Sequence, residues 1–392
     1  MARLVCALPF AALLASSVGA QQAAASLEVR FCGPQPLHSY SLSAEANLQS
    51  VLLPYALVIN RGTAPVDLTT VELTLLRESA AVDSRALARS DIETFGKLSE
   101  QFEAVPQAKA SLELLCGDQL VPKGVALGGP TLAPGQGQLI LNQAFAFDGQ
   151  RDSLQVRAAA SSKQAHVQGA ATLPISTAPA QSHFRLPVKG VWMVKSGPSF
   201  HTHHRWARPS EFGLDLVKFG ADGRSHNGDG SRFSDYYAYG QDVVAAAGGT
   251  VVRATNNRPE PTDLLLRASE TLEAFSQRTA AYQQSLFSAG VDGIAGNHVM
   301  IDHGNGEYSL YAHLQRDSVR VRVGAAVHAG DAIGKVGGSG NALVEPHLHF
   351  HVCDKPTPLA CAGIPVTFES VEIPFVSFAP RPVQSGDVVI AK

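Results

Sequence analysis

Two histidine clusters hold most of the chemistry available to this chain of 392 residues. One is His201-Thr202-His203-His204, followed eleven positions after His204 by Asp215. The other is Pro346-His347-Leu348-His349-Phe350-His351. Read as a strand, the second cluster puts His347, His349 and His351 on one face and Leu348, Phe350 and Val352 on the other, because successive side chains alternate sides. Same-face neighbours then stand roughly 6.5–7 Å apart, so one imidazole can hold a metal while the next reaches the water beside it. Imidazole nitrogen and carboxylate oxygen suit Zn²⁺, whose catalytic sites keep three protein ligands and an open position. Zinc lowers the pKa of its water to about 7, and nearby imidazoles can move protons or stabilise a developing oxyanion. The bland alternative is a solvated polar sheet face; three histidines at alternate positions, beside a strand ending Tyr311-Ala312-His313, weigh against it.

The elements that must carry these residues read as strands: Asp242–Ala246, Gly249–Arg253, His298–Asp302, Tyr308–His313 and His347–Val352. Among them, residues 263–288 are rich in Leu, Ala, Glu, Gln and Arg. Leu265, Ala268, Leu272 and Phe275 recur at helical spacing after a cap at Thr262 or Asp263. This predicts a helical insertion over one rim of the site, inside a C-terminal domain spanning 185–380. Residues 26–175 read as an all-β, sandwich-like N-terminal domain, with strands over Val51–Asn60, Val66–Leu76, Gly137–Leu141 and Leu154–Ala158. They carry no catalytic constellation; a module that binds or positions the substrate and a structural or inhibitory spacer are both open readings. Residues 176–183 are small and polar, as in a linker.

Residues 1–20 read as an export signal. Arg3 precedes the apolar stretch Val5–Leu14, and Val18-Gly19-Ala20 forms a small-residue cleavage site. The expected location is periplasmic or secreted, with no stable membrane insertion after signal removal. Four cysteines remain, and loop closure favours the pairings Cys32–Cys116 and Cys353–Cys361. The net charge of -3 offers no overall basic footprint for nucleic acid. Nothing in the sequence sets an oligomeric state.

Residues 205–352 resemble the lysostaphin-type (M23, LytM-like) zinc metallopeptidases. The resemblance rests on Phe212-Gly213-Leu214-Asp215, Gly249-Thr250-Val251-Val252, Gly296-Asn297-His298-Val299-Met300-Ile301-Asp302-His303-Gly304, Tyr311-Ala312-His313-Leu314, Gly337-Gly338-Ser339-Gly340 and Pro346-His347-Leu348-His349-Phe350, in that order. It implies a mostly β chain whose C-terminal antiparallel sheet holds the site in a groove. It also implies Zn²⁺ on Asp215 and His349, His347 as general base, and His313 polarising the carbonyl. The implied reaction is hydrolysis of peptide bonds in peptidoglycan stems or cross-bridges.

The family pattern His-x-Gly-x-Asp here reads Glu211-Phe212-Gly213-Leu214-Asp215, so Glu211 stands where the first histidine ligand is expected. Three readings stay open. His204 supplies the third donor, with His203 a near competitor; Glu211 itself ligates; or the site is degenerate, and the chain is a non-catalytic peptidoglycan-binding or amidase-activating module. His351 stands where many relatives carry Glu; support of a ligand and a merely exposed side chain are both open readings. His298, His303 and His328 read as surface or structural. The loop Asp222–Gly230 fails the EF-hand pattern, and Tyr236, Tyr237 and Tyr239 read as packing residues.

Overall fold

The computed structural model describes residues 26–33, 36–43, 46–116, 120–163, 166–267, 269–374 and 382–392. The expected export signal lies outside the described residues. No helix among those described is long and apolar enough to cross a membrane.

The C-terminal half is built on a nine-stranded antiparallel sheet. Its order is Ala326–Val327, Gly249–Thr255, Asn297–Asp302, Tyr308–Leu314, Leu348–Cys353, Leu214–Val217, Gly190–Ser196, Val388–Ala391 and Val371–Glu372. Alternation along Leu348–Cys353 works as expected: Leu348, Phe350 and Val352 enter a core with Leu214, Leu216, Tyr311 and Trp192. The opposite face carries His349 and His351. Burial on both faces explains why the central strands are so apolar.

The helical insertion is shorter than the sequence indicated. Thr262–Leu264 forms only a single 3-10 turn, and the α-helix spans Leu272–Ser288. The hydroxyl of Thr271 caps it by accepting from the Ala274 amide at 3.2 Å. The stretch between is held instead by side chains: Arg278 ion-pairs with Glu270 at 2.6 Å and donates to the Leu265 carbonyl at 2.8 Å. A second short helix, Gly290–Ala295, returns the chain to the sheet.

The N-terminal half packs two sheets around Val51, Leu53, Val58, Leu68, Leu73, Leu154 and Val156. It is not all-β. Helices Arg89–Ala104 and Pro106–Cys116 form a hairpin against the outer side of one sheet. Their apolar positions cover Leu57 and Ile59, the side of strand Leu48–Asn60 that faces away from the sandwich core. That double burial accounts for an apolar run with no polar alternation. Cys116, at the end of the second helix, is joined to Cys32. The other expected disulfide is absent: Cys353 and Cys361 are buried free thiols. Cys353 ends a sheet strand and its thiol donates to the Lys355 carbonyl at 3.3 Å.

The expected linker is seated rather than loose. The amides of Gln181 and Ser182 donate to the Glu307 carboxylate, the latter at 2.9 Å. Ala180 donates to the Pro365 carbonyl at 2.8 Å.

Candidate active site

Strand pairing fixes the centre of the site. Asp215 lies opposite His349 across one strand boundary, and His349 lies opposite Ala312 across the next. These three residues therefore share a face. Strict alternation would send His313 to the opposite face. His313 instead adopts φ 61°, the left-handed region uncommon for residues other than glycine, opposite an irregularity between Asn297 and Val299 on the neighbouring strand. Such a conformation costs about 1–3 kcal/mol and survives only where the surroundings over-determine it. The turn brings the His313 ring to 4.9 Å from His347 and 5.9 Å from His349.

Asp215 is the hub. Its carboxylate lies 2.9 Å from His349 Nδ1, 3.2 Å from His204 Nε2 and 3.5 Å from His347 Nε2. Burial opposes ionisation of Asp215, but the His204 and His347 rings, with hydrogen bonds from His204 and His349, hold its carboxyl well below the usual range. His204 moves up: burial disfavours its charge, and Asp215 more than compensates. His313 moves far down, through burial first and then the neighbouring His347 and His349. Burial also lowers His349 and His351.

Backbone carbonyls set the tautomers. His204 donates from Nδ1 to Gly213 O at 3.0 Å, His313 to Ser339 O at 3.0 Å, and His347 to Glu345 O at 2.9 Å. Each ring is left with Nε2 as its free donor atom. Space at Gly213 is tight: a Cβ there would lie 3.1 Å from the Ser210 carbonyl oxygen and 3.3 Å from both His349 Cε1 and the His351 Cβ. Neutral His204 and His347 would turn Nε2 lone pairs toward a carboxylate, an arrangement that a shared cation resolves. The donor chemistry of His204, Asp215 and His349 thus fits Zn²⁺. His203 is the exposed neighbour; it offers a nitrogen within 4.8 Å of the His204 and Asp215 donors.

Glu211 is turned elsewhere. Its carboxylate forms a buried ion pair with Arg205, whose side chain is fully enclosed. Burial pushes the Arg205 guanidinium down to about 10, still protonated at neutral pH. His351 stands behind the site, its Nδ1 2.9 Å from His349 Nε2. His298 is buried and bonded to the Gly296 carbonyl at 2.8 Å, His303 bridges Gly248 and Ser309, and His328 is exposed. Asn297 clamps Arg258 and Leu314 rather than lining the groove.

Sequence reasoning missed several lining residues. A cleft of about 540 Å³ opens over the hub, bounded by Lys195, Phe275, Leu343, Glu345, His313 and His347. Lys195 and Glu345 form an ion pair on its wall. Phe275, from the insertion helix, was visible as a periodic apolar residue, but nothing local showed which surface it would meet.

Residues 277–360 match the family model described as Peptidase family M23. That match takes in His313, His347 and His349 and begins after the segment of His204 and Asp215. Within the C-terminal half, residues 277–360 are thus similar to peptidase family M23. Over 87 residues the chain is 36% identical to the peptidoglycan DD-endopeptidase ShyA of Vibrio cholerae serotype O1, covering 22% of this chain and 18% of that relative. The chain thus matches less than a fifth of the length of this curated relative. Among solved structures, a peptidase M23 described as putative from Pseudomonas aeruginosa aligns at 15% identity and a TM-score of 0.26, over 57% of this chain and 76% of that one. The catalytic domain of lysostaphin from Staphylococcus simulans aligns at 16% identity and a TM-score of 0.24, over 45% and 88%.

Proposed function

We propose that this chain is an exported zinc endopeptidase that hydrolyses peptide bonds in peptidoglycan stems or cross-bridges. The observation that carries the reading is the convergence of His204, His349 and His347 on the buried Asp215 carboxylate, each within 3.5 Å. His204 Nε2, Asp215 and His349 Nδ1 are the proposed zinc donors. Bound zinc supplies Lewis acidity and makes water acidic enough to attack near neutral pH. His347 and His313 do the proton work. With Nδ1 committed to a backbone carbonyl, the neutral form of each ring keeps a lone pair on Nε2 that can accept a proton from the attacking water. A ring that has taken this proton becomes a donor to the carbonyl oxygen or to the departing amine. The peptidoglycan substrate follows from ShyA by analogy, and export from the sequence of residues 1–20. The cleft over the hub has a volume of about 540 Å³, and Phe275 of the insertion helix lines it.

A second reading, a non-catalytic peptidoglycan-binding or amidase-activating module, draws on Glu211 in place of the usual imidazole. One experiment separates the two. Purified chain is assayed for zinc content and for release of fragments from cross-linked muropeptides, beside His349→Ala. Zinc near one equivalent and cleavage lost in the variant support the peptidase. Undiminished wall binding with no cleavage by either protein supports the module.

A further inference from the structure

The three proposed donors are supported unequally. Asp215 and His349 sit on paired strands in fixed register. His204 sits on the 3-10 turn His204–Trp206, in a segment whose only regular structure before Leu214 is two such turns. Turns this short have poor hydrogen-bond geometry and little rigidity of their own. Something outside the segment must hold the imidazole in place.

The adjacent residue supplies the connection. The buried Arg205 guanidinium pairs with Glu211 and donates from Nη2 to Ser50 Oγ at 3.2 Å. It lies 5.4 Å from the ring centroids of Phe200 and Phe212 and 5.9 Å from that of Tyr40. Ser50 and Tyr40 belong to the N-terminal sandwich. Tyr40 also packs on Phe212, with centroids 5.8 Å apart, and its hydroxyl donates to the Val383 carbonyl at 3.1 Å. Three residues beyond Arg205, the Arg208 guanidinium donates to the Cys116 carbonyl, at the end of the N-terminal helical hairpin. The segment carrying His204 is therefore gripped at two points by the other half of the chain.

We infer that Arg205 is a positioning residue for the metal centre, through which the N-terminal sandwich sets where His204 stands relative to Asp215. This rests on the zinc reading above, since the placement of His204 matters to function only if it holds the ion. It also gives position 211 a task. The carboxylate there holds the arginine that anchors the ligand-bearing turn, and the ligand itself comes from seven residues earlier. The N-terminal half is then part of the metal site without contributing a donor to it.

The test uses the full chain with Arg205→Lys, Ser50→Ala, Ser50→Thr and His204→Gln. Zinc affinity is measured by chelator competition, the visible spectrum of the Co²⁺ form reports coordination, and amide exchange is followed over 198–213 in metal-free protein. Lysine keeps the charge but lacks the planar fork that reaches several partners at once. Arg205→Lys is expected to weaken zinc binding roughly 10–100-fold, as loss of a ligand's support does. It should also change the Co²⁺ spectrum and speed exchange over 198–213 while Leu214–Val217 stays protected. Ser50→Ala should shift all three in the same direction, and Ser50→Thr, which keeps the hydroxyl, should restore them. Wild-type affinity and spectrum in Arg205→Lys overturn the inference. If that variant does not fold, equal affinities for Ser50→Ala and Ser50→Thr overturn it instead. His204→Gln with undiminished affinity overturns it while leaving the zinc reading standing; a wild-type chain that takes up no zinc defeats both.

Discussion

His349 Nε2 lies 2.9 Å from His351 Nδ1, and both rings are buried. With Nδ1 of His349 turned to the hub, its Nε2 carries the proton and His351 accepts it. His351 thereby fixes the ring angle of a proposed ligand. His351→Leu should weaken zinc binding roughly 10–100-fold. His351→Glu, which keeps an acceptor, should retain most of the affinity. Competition titration against a chelator distinguishes the two variants.

His313 and His347 are expected to separate chemistry from metal binding. Replacing either with Ala should lower kcat by about 10²–10⁴-fold, the usual contribution of a positioned proton carrier. Zinc content should stay near that of the parent. A variant that loses its zinc in parallel with its activity would make the residue a ligand instead.

Glu211 and His204 should fail in different ways. His204→Ala is expected to lose zinc with a modest effect on folding of the metal-free chain. Glu211→Ala leaves the Arg205 cation buried without its carboxylate, a loss of roughly 3–5 kcal/mol in comparable settings. Denaturant titration of the metal-free proteins measures the difference.

The Glu270–Arg278 pair holds the approach to the insertion helix. The Arg278 hydrogen bond is the main reason the Glu270 carboxyl drops from 4.5 to about 2. A depressed carboxylate stabilises the folded form fully above its unfolded value and loses that contribution as pH falls through the folded value. Acidification from pH 4.5 to about 2 should therefore loosen the insertion, seen as faster amide exchange over residues 265–288. Glu270→Gln should exchange faster at neutral pH and lose most of this acid dependence.

The Cys32–Cys116 bridge closes a long loop, with a sequence separation of 84. Chain-entropy arguments assign such a loop about 4–5 kcal/mol of stabilisation. Replacing both cysteines with Ser should lower the stability of the N-terminal half by roughly that amount, read from the denaturant midpoint. Because Cys116 also offers its carbonyl to Arg208, zinc affinity should fall with it.

Much of the site could be read from residue order because its chemistry is local in sequence. The alternation of His347, His349 and His351 placed two rings on the working face, and the glycine-punctuated strands located the sheet. What escaped depended on partners far away. Glu211 could not be seen as Arg205's counter-ion, since its burial depends on Ser50 and Tyr40 more than 150 positions upstream. In the helical hairpin over residues 89–116, only Ile92, Gly96 and Ser99 of the first helix are fully covered, and two of these are too small to mark a buried face in the sequence. His313 was assigned from resemblance, but its left-handed backbone, which aims the ring, follows from an irregularity on the next strand that no local pattern announces.

The small, polar stretch 176–183 was composed like a tether, yet Glu307 receives its backbone amides. Glu307 fastens the crossing to the C-terminal half, and Arg205 and Arg208 reach Ser50 and Cys116 across the seam, so residues 180–182 add no slack between the halves.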